Sequence, residues 1–328
     1  MRSLRRLQTE PRNDTGLSVV VFAAYEAGVA AAMAPVWHRL GAGASTALSP
    51  VAAKYLDYTP DYLLGDETSG GDFFGMDPVA IVLSATGRGE EADILLQARE
   101  RGIPVLQLID TWLAQPGSYA GRFCGRMADV IGVVDGNAQW DAIAEGVPSE
   151  RIRVIGNPAW EKASPQQDAK RTHVAYIVQP LRKLFGTALG YDEVSVLAML
   201  RNAKVVRPDL IDEIVVVPHP AGDACVDEAN QMPLLQALAG CGTIVGVFSS
   251  ALTDAVLGGR SVVSIQPHAS MDICGLSRHG IIPCATTDTQ LCAHLQSASP
   301  SPRAGDLRAA VQQSADRVLN VVNSLVCA

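Results

Sequence analysis

Short apolar runs alternate with longer stretches of mixed polarity through the first half of the chain. Each run is too short for a helix and is apolar at nearly every position, as in strands buried on both faces of a parallel sheet. The intervening stretches are long enough for the crossover helices that such a sheet requires. The first half is therefore predicted to be an α/β domain, with strands at residues 17–23, 79–84, 105–109, 130–134 and 152–155.

The alternation resumes after a polar stretch at residues 161–171 (EKASPQQDAKR), whose composition is typical of a solvated connector. We therefore divide the chain into an N-terminal domain of residues 1–163, with a flexible tail at 1–15, and a C-terminal domain of residues 164–328. The pattern of the second domain predicts strands at 174–178, 214–217, 243–246 and 261–265, helices near 192–202 and from Ser250, and a closing amphipathic helix at 306–326.

Two α/β domains joined by a short connector have one natural place for a ligand, the cleft facing the carboxyl ends of both sheets. The turn Phe248-Ser249-Ser250-Ala251 lies between a predicted strand and a predicted helix. Backbone N–H groups and two hydroxyls at a helix N-terminus form a phosphate site. The alternative is a helix N-cap without a ligand. Asp254, one turn further on, either contacts a ribose hydroxyl or is an exposed helix residue.

Two more polar residues follow strands of the second half. His219 stands between two prolines after the strand at 214–217 and is predicted to donate to phosphate oxygens. The alternative is a buried histidine hydrogen-bonded to the backbone. Gln179 ends the first strand of the second half, where its amide either reads a base or sugar or satisfies loop backbone.

Three acids that follow strands of the first half are candidates for a general base: Asp110, Asp135 and Glu91. For Asp135 the alternative is an Asp-Gly turn that caps the next helix. Gly87 lies in a glycine-containing segment before Glu91, where the backbone either approaches a ligand closely or forms a plain turn. In the plain turn, Glu91 interacts favourably with the helix dipole.

The composition limits the class of ligand that the protein is expected to bind and the cellular compartment in which it is expected. The formal charge of −8, from 34 acidic and 26 basic side chains, argues against a nucleic-acid surface. The seven cysteines are scattered singly, so they indicate neither a disulfide framework nor a zinc site, and no metal is expected. No apolar run approaches the roughly 20 residues of a membrane span. A cytoplasmic protein is therefore expected.

The run at residues 81–161, followed by VVVPHP and VFSSALTDAVLGGRSVVSIQP, resembles two-domain glycosyltransferases of the GT-B type. The resemblance covers most of the chain and is nearest to bacterial surface-sugar enzymes related to UDP-GlcNAc 2-epimerases, CDP-glycerol glycerophosphotransferases and bacterial sialyltransferases. It implies two Rossmann-like domains whose parallel sheets face a central cleft.

The sialyltransferase-like branch implies roles for three motifs. Its HP motif and its Ser/Thr-Ser motif hold the nucleotide phosphate, and the matches here are His219-Pro220 and Ser249-Ser250. Its acidic-Asp-Gly motif carries the base, and Asp135-Gly136 matches it in part, with valine in place of the first acid.

The resemblance implies a metal-independent transferase without a cofactor. Such an enzyme moves a sugar or polyol phosphate from a CMP-, CDP- or UDP-linked donor to the hydroxyl of an unidentified acceptor. The alternatives are a non-catalytic nucleotide-binding relative and an isomerase like the 2-epimerases, although their His-x-Glu arrangement and acidic pair are not found here. Exposed apolar helices often pair in such domains, so a homodimer is an open alternative.

Overall fold

The computed structural model describes residues 19–65, 73–85, 90–113, 119, 123, 127–163, 165, 169–219 and 230–327. The predicted tail at residues 1–15 and Gly87 lie outside these ranges. The strands are β1 (Val19–Ala24), β2 (Ala44–Leu48), β3 (Tyr62–Leu63), β4 (Pro78–Ser84), β5 (Val105–Leu108), β6 (Val130–Val133), β7 (Ile152–Val154), β8 (Lys170–Ile177), β9 (Glu213–Val217), β10 (Cys241–Gly246), β11 (Ser261–Ile265) and β12 (Cys284–Ala285).

Within the described ranges, these strands form two parallel sheets. The first has seven strands in the order β3-β2-β1-β4-β5-β6-β7, and the second has five in the order β12-β11-β10-β8-β9. The predicted fold class, two Rossmann-like α/β domains in a GT-B-like arrangement, is confirmed. All nine strands predicted from apolar runs are present, whereas β2, β3 and β12 were not predicted.

Twelve α-helices connect and cover the described strands. They are α1 (Ala27–Leu40), α2 (Pro50–Leu56), α3 (Glu91–Glu100), α4 (Gly136–Ala144), α5 (Leu181–Phe185), α6 (Glu193–Val206), α7 (Leu234–Gly240), α8 (Ser250–Leu257), α9 (Gly275–Arg278), α10 (Asp288–Gln296), α11 (Ala304–Val311) and α12 (Ser314–Val326). None of these helices has both the length and the apolar character needed to cross a membrane.

The chain changes direction within each sheet. In the first sheet, β1 is followed by β2 on one side and later by β4 on the other. In the second sheet, β8 is followed by β9 on one side and by β10 on the other. Crossover helices leave in opposite directions at such points and open a crevice at the carboxyl ends of the strands. The two expected ligand positions are therefore the ends of β1 and β4 and the ends of β8 and β10.

The predicted closing helix is two helices, because Gln313 adopts a left-handed conformation (φ 59°) between α11 and α12. Helix α12 packs against α1, β4 and β5 of the first half. Its buried residues Ala315, Val318 and Val322 belong to the same apolar cluster as those of α1. The chain therefore returns to its first half after completing the second sheet, and the division at residue 163 stays a prediction.

The two halves meet through one buried apolar cluster that contains Ile109 and Trp112 from the first half and Ile177 and Leu276 from the second. The contact is close, because a Cβ atom on Gly275 of α9 would lie 2.2 Å from the Cβ of Trp112. Only glycine fits this position without displacing Trp112.

Polar contacts from the same helix reinforce the seam. The Arg278 guanidinium donates to the Leu113 carbonyl at 2.7 Å. The Nε2 atom of His279, the next residue, lies 3.0 Å from a carboxylate oxygen of Asp141 on α4. These two polar contacts therefore hold helix α9 of the second half against the first half.

Gly275→Ala is expected to destabilise the protein by about 1–3 kcal/mol, because the added methyl overpacks the seam against Trp112. Gly305→Ala is the matched control, since nothing lies within 4 Å of the Cβ it would add. Alanine is also favoured over glycine in a helix by up to about 1 kcal/mol, so this control should not be destabilised. Urea unfolding measures both. Equal stability of the two variants would contradict the close contact.

Candidate functional site

At the switch point of the second sheet, a side chain connects the end of β8 to the turn after β10. Gln179 follows β8 and is only 7% exposed. Its Oε1 atom accepts a hydrogen bond from the backbone N–H of Phe248, after β10, at 2.8 Å. The amide oxygen therefore fixes the turn that leads from β10 into α8, which is the loop-backbone alternative considered above. Contact between Gln179 and a ligand stays a prediction.

The paired serines lie where that turn enters α8. Ser249 is the N-cap of the helix, and its Oγ atom accepts from the backbone N–H of Ala251 at 3.3 Å. Ser250 is the first helical residue, and both serines are partly buried. The expected strand, turn and helix N-terminus are therefore present, and the capping alternative is also realised. The two interpretations are compatible, because one cap bond satisfies only one of the N–H groups of a helix N-terminus.

His219 lies two residues beyond the end of β9 and is partly buried. Because β9, β8 and β10 are parallel neighbours, their carboxyl ends meet at one edge of the sheet. His219, Gln179 and Ser249 are therefore brought to the same edge, as the sequence predicted. The adjoining Pro220 lies outside the described residues.

Asp254 is not an exposed helix residue. It is partly buried on α8, and Trp160, from the first half, lies close enough to influence its carboxyl group. Burial raises the pKa of Asp254 to about 6, and the interaction with Trp160 opposes part of that rise. Burial and, to a lesser degree, the charge of Asp254 raise the pKa of Tyr55 on α2. Asp254 therefore faces the first half of the chain.

Asp135 is the N-cap of α4, as its alternative interpretation predicts. Its Oδ1 atom accepts from the Ala138 backbone N–H at 2.8 Å and from the Trp112 indole N–H at 3.1 Å. Its Oδ2 atom accepts from the Asn137 side chain at 3.4 Å. These three contacts account for its position, and its role as a base stays a prediction.

The other two acids of the first half lie near the first switch point. Glu91 is 2% exposed and accepts a hydrogen bond from the Ser84 hydroxyl at the end of β4. Asp110 lies against the first turn of α1, where a Cβ atom on Gly28 would be 2.7 Å from its Oδ2 atom. Its carboxylate is therefore close to the positive end of α1. Participation of either acid in catalysis stays a prediction.

Two tryptophans at the seam were not among the candidate residues. Trp112 and Trp160 are each 4% exposed; Trp112 donates to Asp135, and Trp160 stacks on Trp112 close to Asp254. Their sequence signal is weak: Trp112 follows Asp110 after a strand, and Trp160 follows the turn at Asn157. Among the described residues, no group of three or more His, Cys, Asp or Glu side chains is arranged to hold a metal ion.

Comparisons with known proteins give a structural likeness without a sequence match. No family model and no curated protein matches the chain. The UDP-GlcNAc 2-epimerase from Neisseria meningitidis, solved with UDP-GlcNAc, superposes with a TM-score of 0.64 at 11% identity, covering 93% of this chain and 99% of that one. The UDP-GlcNAc 2-epimerase from Methanocaldococcus jannaschii gives 0.61 at 11% identity, covering 94% and 99%.

A third solved structure is HepE from Anabaena in complex with UDP, with a TM-score of 0.60 at 12% identity over 94% of this chain and all of that chain (100%). At these identities the likeness shows the fold, a two-domain GT-B-like arrangement. The chain is thus similar in fold to UDP-GlcNAc 2-epimerases, one of the groups that the sequence resembles.

Ser249→Ala is expected to cost about 0.5–2 kcal/mol of stability, because the N-cap bond to Ala251 is lost. Ser250→Ala should leave stability within a few tenths of a kcal/mol, because alanine is a good residue inside a helix. Chemical denaturation of the two single variants gives the comparison. A larger loss for Ser250→Ala than for Ser249→Ala would contradict the capping assignment.

Proposed function

We propose that this chain binds a UDP-linked sugar in the cleft between its two halves, with the diphosphate at the N-terminus of α8. The observation that carries the proposal is the second-sheet switch point, where His219, Ser249 and Ser250 share one edge with that N-terminus. The fold likeness supports the choice of nucleotide, since structures of this fold have been solved with UDP or UDP-GlcNAc.

The phosphate affinity is attributed to dipoles and hydrogen-bond donors. A helix N-terminus carries about half a positive charge and presents backbone N–H groups, which together favour an anion. The Ser250 hydroxyl and the His219 imidazole add hydrogen-bond donors at the same edge of the sheet. Gln179 keeps the turn in place through the Phe248 N–H. A chain with a net negative charge can therefore bind a negative ligand, because the helix N-terminus and the nearby donors act on the ligand at short range.

The ribose is assigned to Asp254, one turn into α8. An ionised carboxylate offers about four acceptor positions, which suit vicinal hydroxyls because hydroxyls are donors. With Ser250 at the start of the helix and Asp254 one turn later, the phosphate and the ribose would lie along one face of α8.

The reaction class that best accompanies this binding is isomerisation of the bound sugar. The epimerases with the same fold favour it. The transferase hypothesis has less support, because Asp135, the acid of the motif expected to carry the base, has both oxygens engaged in contacts within the first half. Nucleotide-sugar binding is common to both reaction classes and to a non-catalytic relative.

Calorimetric titration with UDP-GlcNAc tests the binding site. His219→Ala and Ser250→Ala should each weaken binding by about tenfold or more, the equivalent of about 1.4 kcal/mol. The matched controls, His38→Ala and Ser324→Ala, change exposed residues of the first half and of α12 and should bind like the wild type. Uridine, which lacks phosphates, should lose less than about threefold in either site variant. Undiminished UDP-GlcNAc binding in both site variants would remove the phosphate assignment.

Incubation of the wild type with UDP-GlcNAc, followed by mass spectrometry and NMR of the sugar, distinguishes the reaction classes. An isomerase should yield a product of unchanged mass with an altered sugar spectrum. Release of UDP with loss of the intact nucleotide sugar, increased by an added acceptor, would favour the transferase. Binding without any change of the ligand would identify a non-catalytic relative.

A further inference from the structure

The loop that follows β11, residues 266–274, is held by a buried polar network. Gln266 and Ser264 are fully buried, and the Gln266 Nε2 atom donates to the Ser264 hydroxyl at 3.0 Å and to an Asp272 carboxylate oxygen at 2.5 Å. The Gln266 Oε1 atom accepts from the Ile273 backbone N–H at 3.0 Å. Satisfied polar networks of this kind make their surroundings rigid. The loop is therefore anchored from below at the carboxyl edge of the second sheet.

His268, within this loop, has a left-handed backbone conformation. Its φ angle is 55°, a value that costs free energy for a residue with a side chain. Its backbone N–H donates to the Thr286 carbonyl, after β12, at 2.9 Å, and the Ala269 N–H donates to the Gln266 carbonyl at 3.1 Å. Residues in such conformations are kept there by the surrounding structure, and they cluster at functional sites.

The imidazole of His268 is exposed, and among the described residues it has no hydrogen-bond, ion-pair or ring partner. Each of the other histidines has a ring, hydrogen-bond, ion-pair or other electrostatic contact: His38, His173, His219, His279 and His294. A histidine ring carries at least one N–H donor in either charge state. His268 therefore presents an unused donor from a backbone position that is costly to maintain.

The strand register places His268 beside the serine turn. Ser264 of β11 pairs with Gly246, the last residue of β10. His268 follows Ser264 by as many residues as Ser250 follows Gly246, so the two lie at the same level beyond the sheet. Neighbouring strands are about 4.8 Å apart. A phosphate bound at the N-terminus of α8 is therefore within reach of a side chain at this level of the β11 loop.

We propose that His268 is a second phosphate-binding histidine, which donates to the diphosphate of the ligand from the side of β10 opposite to His219. The strand order supports this arrangement, because β11 is next to β10 on one side, whereas β9 lies beyond β8 on the other. The inference rests on the proposed function, because the ligand is the UDP-linked sugar. It adds a donor that no motif in the sequence marks, and it explains why a residue other than glycine occupies the left-handed position.

Calorimetric titration of His268→Gly tests the proposal. Affinity for UDP-GlcNAc and for UDP should each fall by about tenfold or more, whereas affinity for uridine should change by less than about threefold. Glycine adopts a φ of 55° without strain, which offsets the entropy that it adds to the unfolded chain. The urea midpoint of unfolding should therefore be equal to that of the wild type or higher, so the lost affinity is not a folding defect.

Asp77→Gly is the matched control for the backbone change. Asp77 is exposed, has a φ of 51°, and directly precedes β4 at the amino edge of the first sheet. This variant relieves the same kind of strain far from the ligand, so it should bind UDP-GlcNAc like the wild type. His268→Asn should recover part of the affinity that His268→Gly loses, because asparagine tolerates the left-handed region and keeps a donor. An equal loss of affinity in Asp77→Gly and His268→Gly would overturn the proposal.

Comparison with the earlier variants separates this inference from the proposed function. Weakened binding in His219→Ala and Ser250→Ala, with wild-type binding in His268→Gly, would retain the phosphate site and overturn the role of His268. A loss in His268→Gly for UDP-GlcNAc but not for UDP would also overturn it, because His268 would then contact the sugar. A loss for both ligands in His268→Gly alone would retain the His268 contact and reject the proposed phosphate position. Absence of binding by the wild type would reject both.

Discussion

Parallel strand pairing is the constraint from which the rest of the molecule follows. It places every carboxyl end of a sheet at one edge, so each following helix begins at that edge with its N–H groups unsatisfied. Both switch points satisfy one of these groups in the same way. A side-chain oxygen at the end of one strand accepts a hydrogen bond from a backbone N–H that follows the neighbouring strand. Tyr25 donates its backbone N–H to the Ser84 hydroxyl, and Phe248 donates its N–H to Gln179.

The second constraint is the close contact of the two halves at Gly275 and Trp112, which makes the seam a part of the core. Because interiors are densely packed, groups across this seam keep a fixed geometry. Asp254 is therefore part of the second half in sequence, but its side chain faces residues of the first half. The proposed nucleotide site is a property of both halves, which fits a fold whose ligand lies between its sheets.

The elements that sequence predicted and missed differ in a physical way. Strands such as Val130–Val133 consist of apolar residues that are mostly buried, so the local sequence is enough to predict them. Ala44–Leu48 carries two hydroxyl residues and small side chains, and its strand identity comes from pairing with β1. Likewise, the serine turn is predictable from order along the chain. The Gln179 bond is not, since it joins residues 69 positions apart, and the Trp160 contact to Asp254 also depends on tertiary packing.

The occupancy of the helix N-termini decides where an added anion is most stable. Helix α3 begins with Glu91, α4 is capped by Asp135, and Asp110 lies against the first turn of α1, so each of these positive ends already has a carboxylate. Helix α8, all of whose residues are described, has a neutral serine cap and no acid in its first turn. Helix α2 shares both features through Ser49, but its first residue, Pro50, has no backbone N–H to donate. An anionic ligand meets repulsion at the three acidic ends and attraction at α8. This distribution supports the proposed placement of the phosphates in the second half, with the sugar toward the acids of the first.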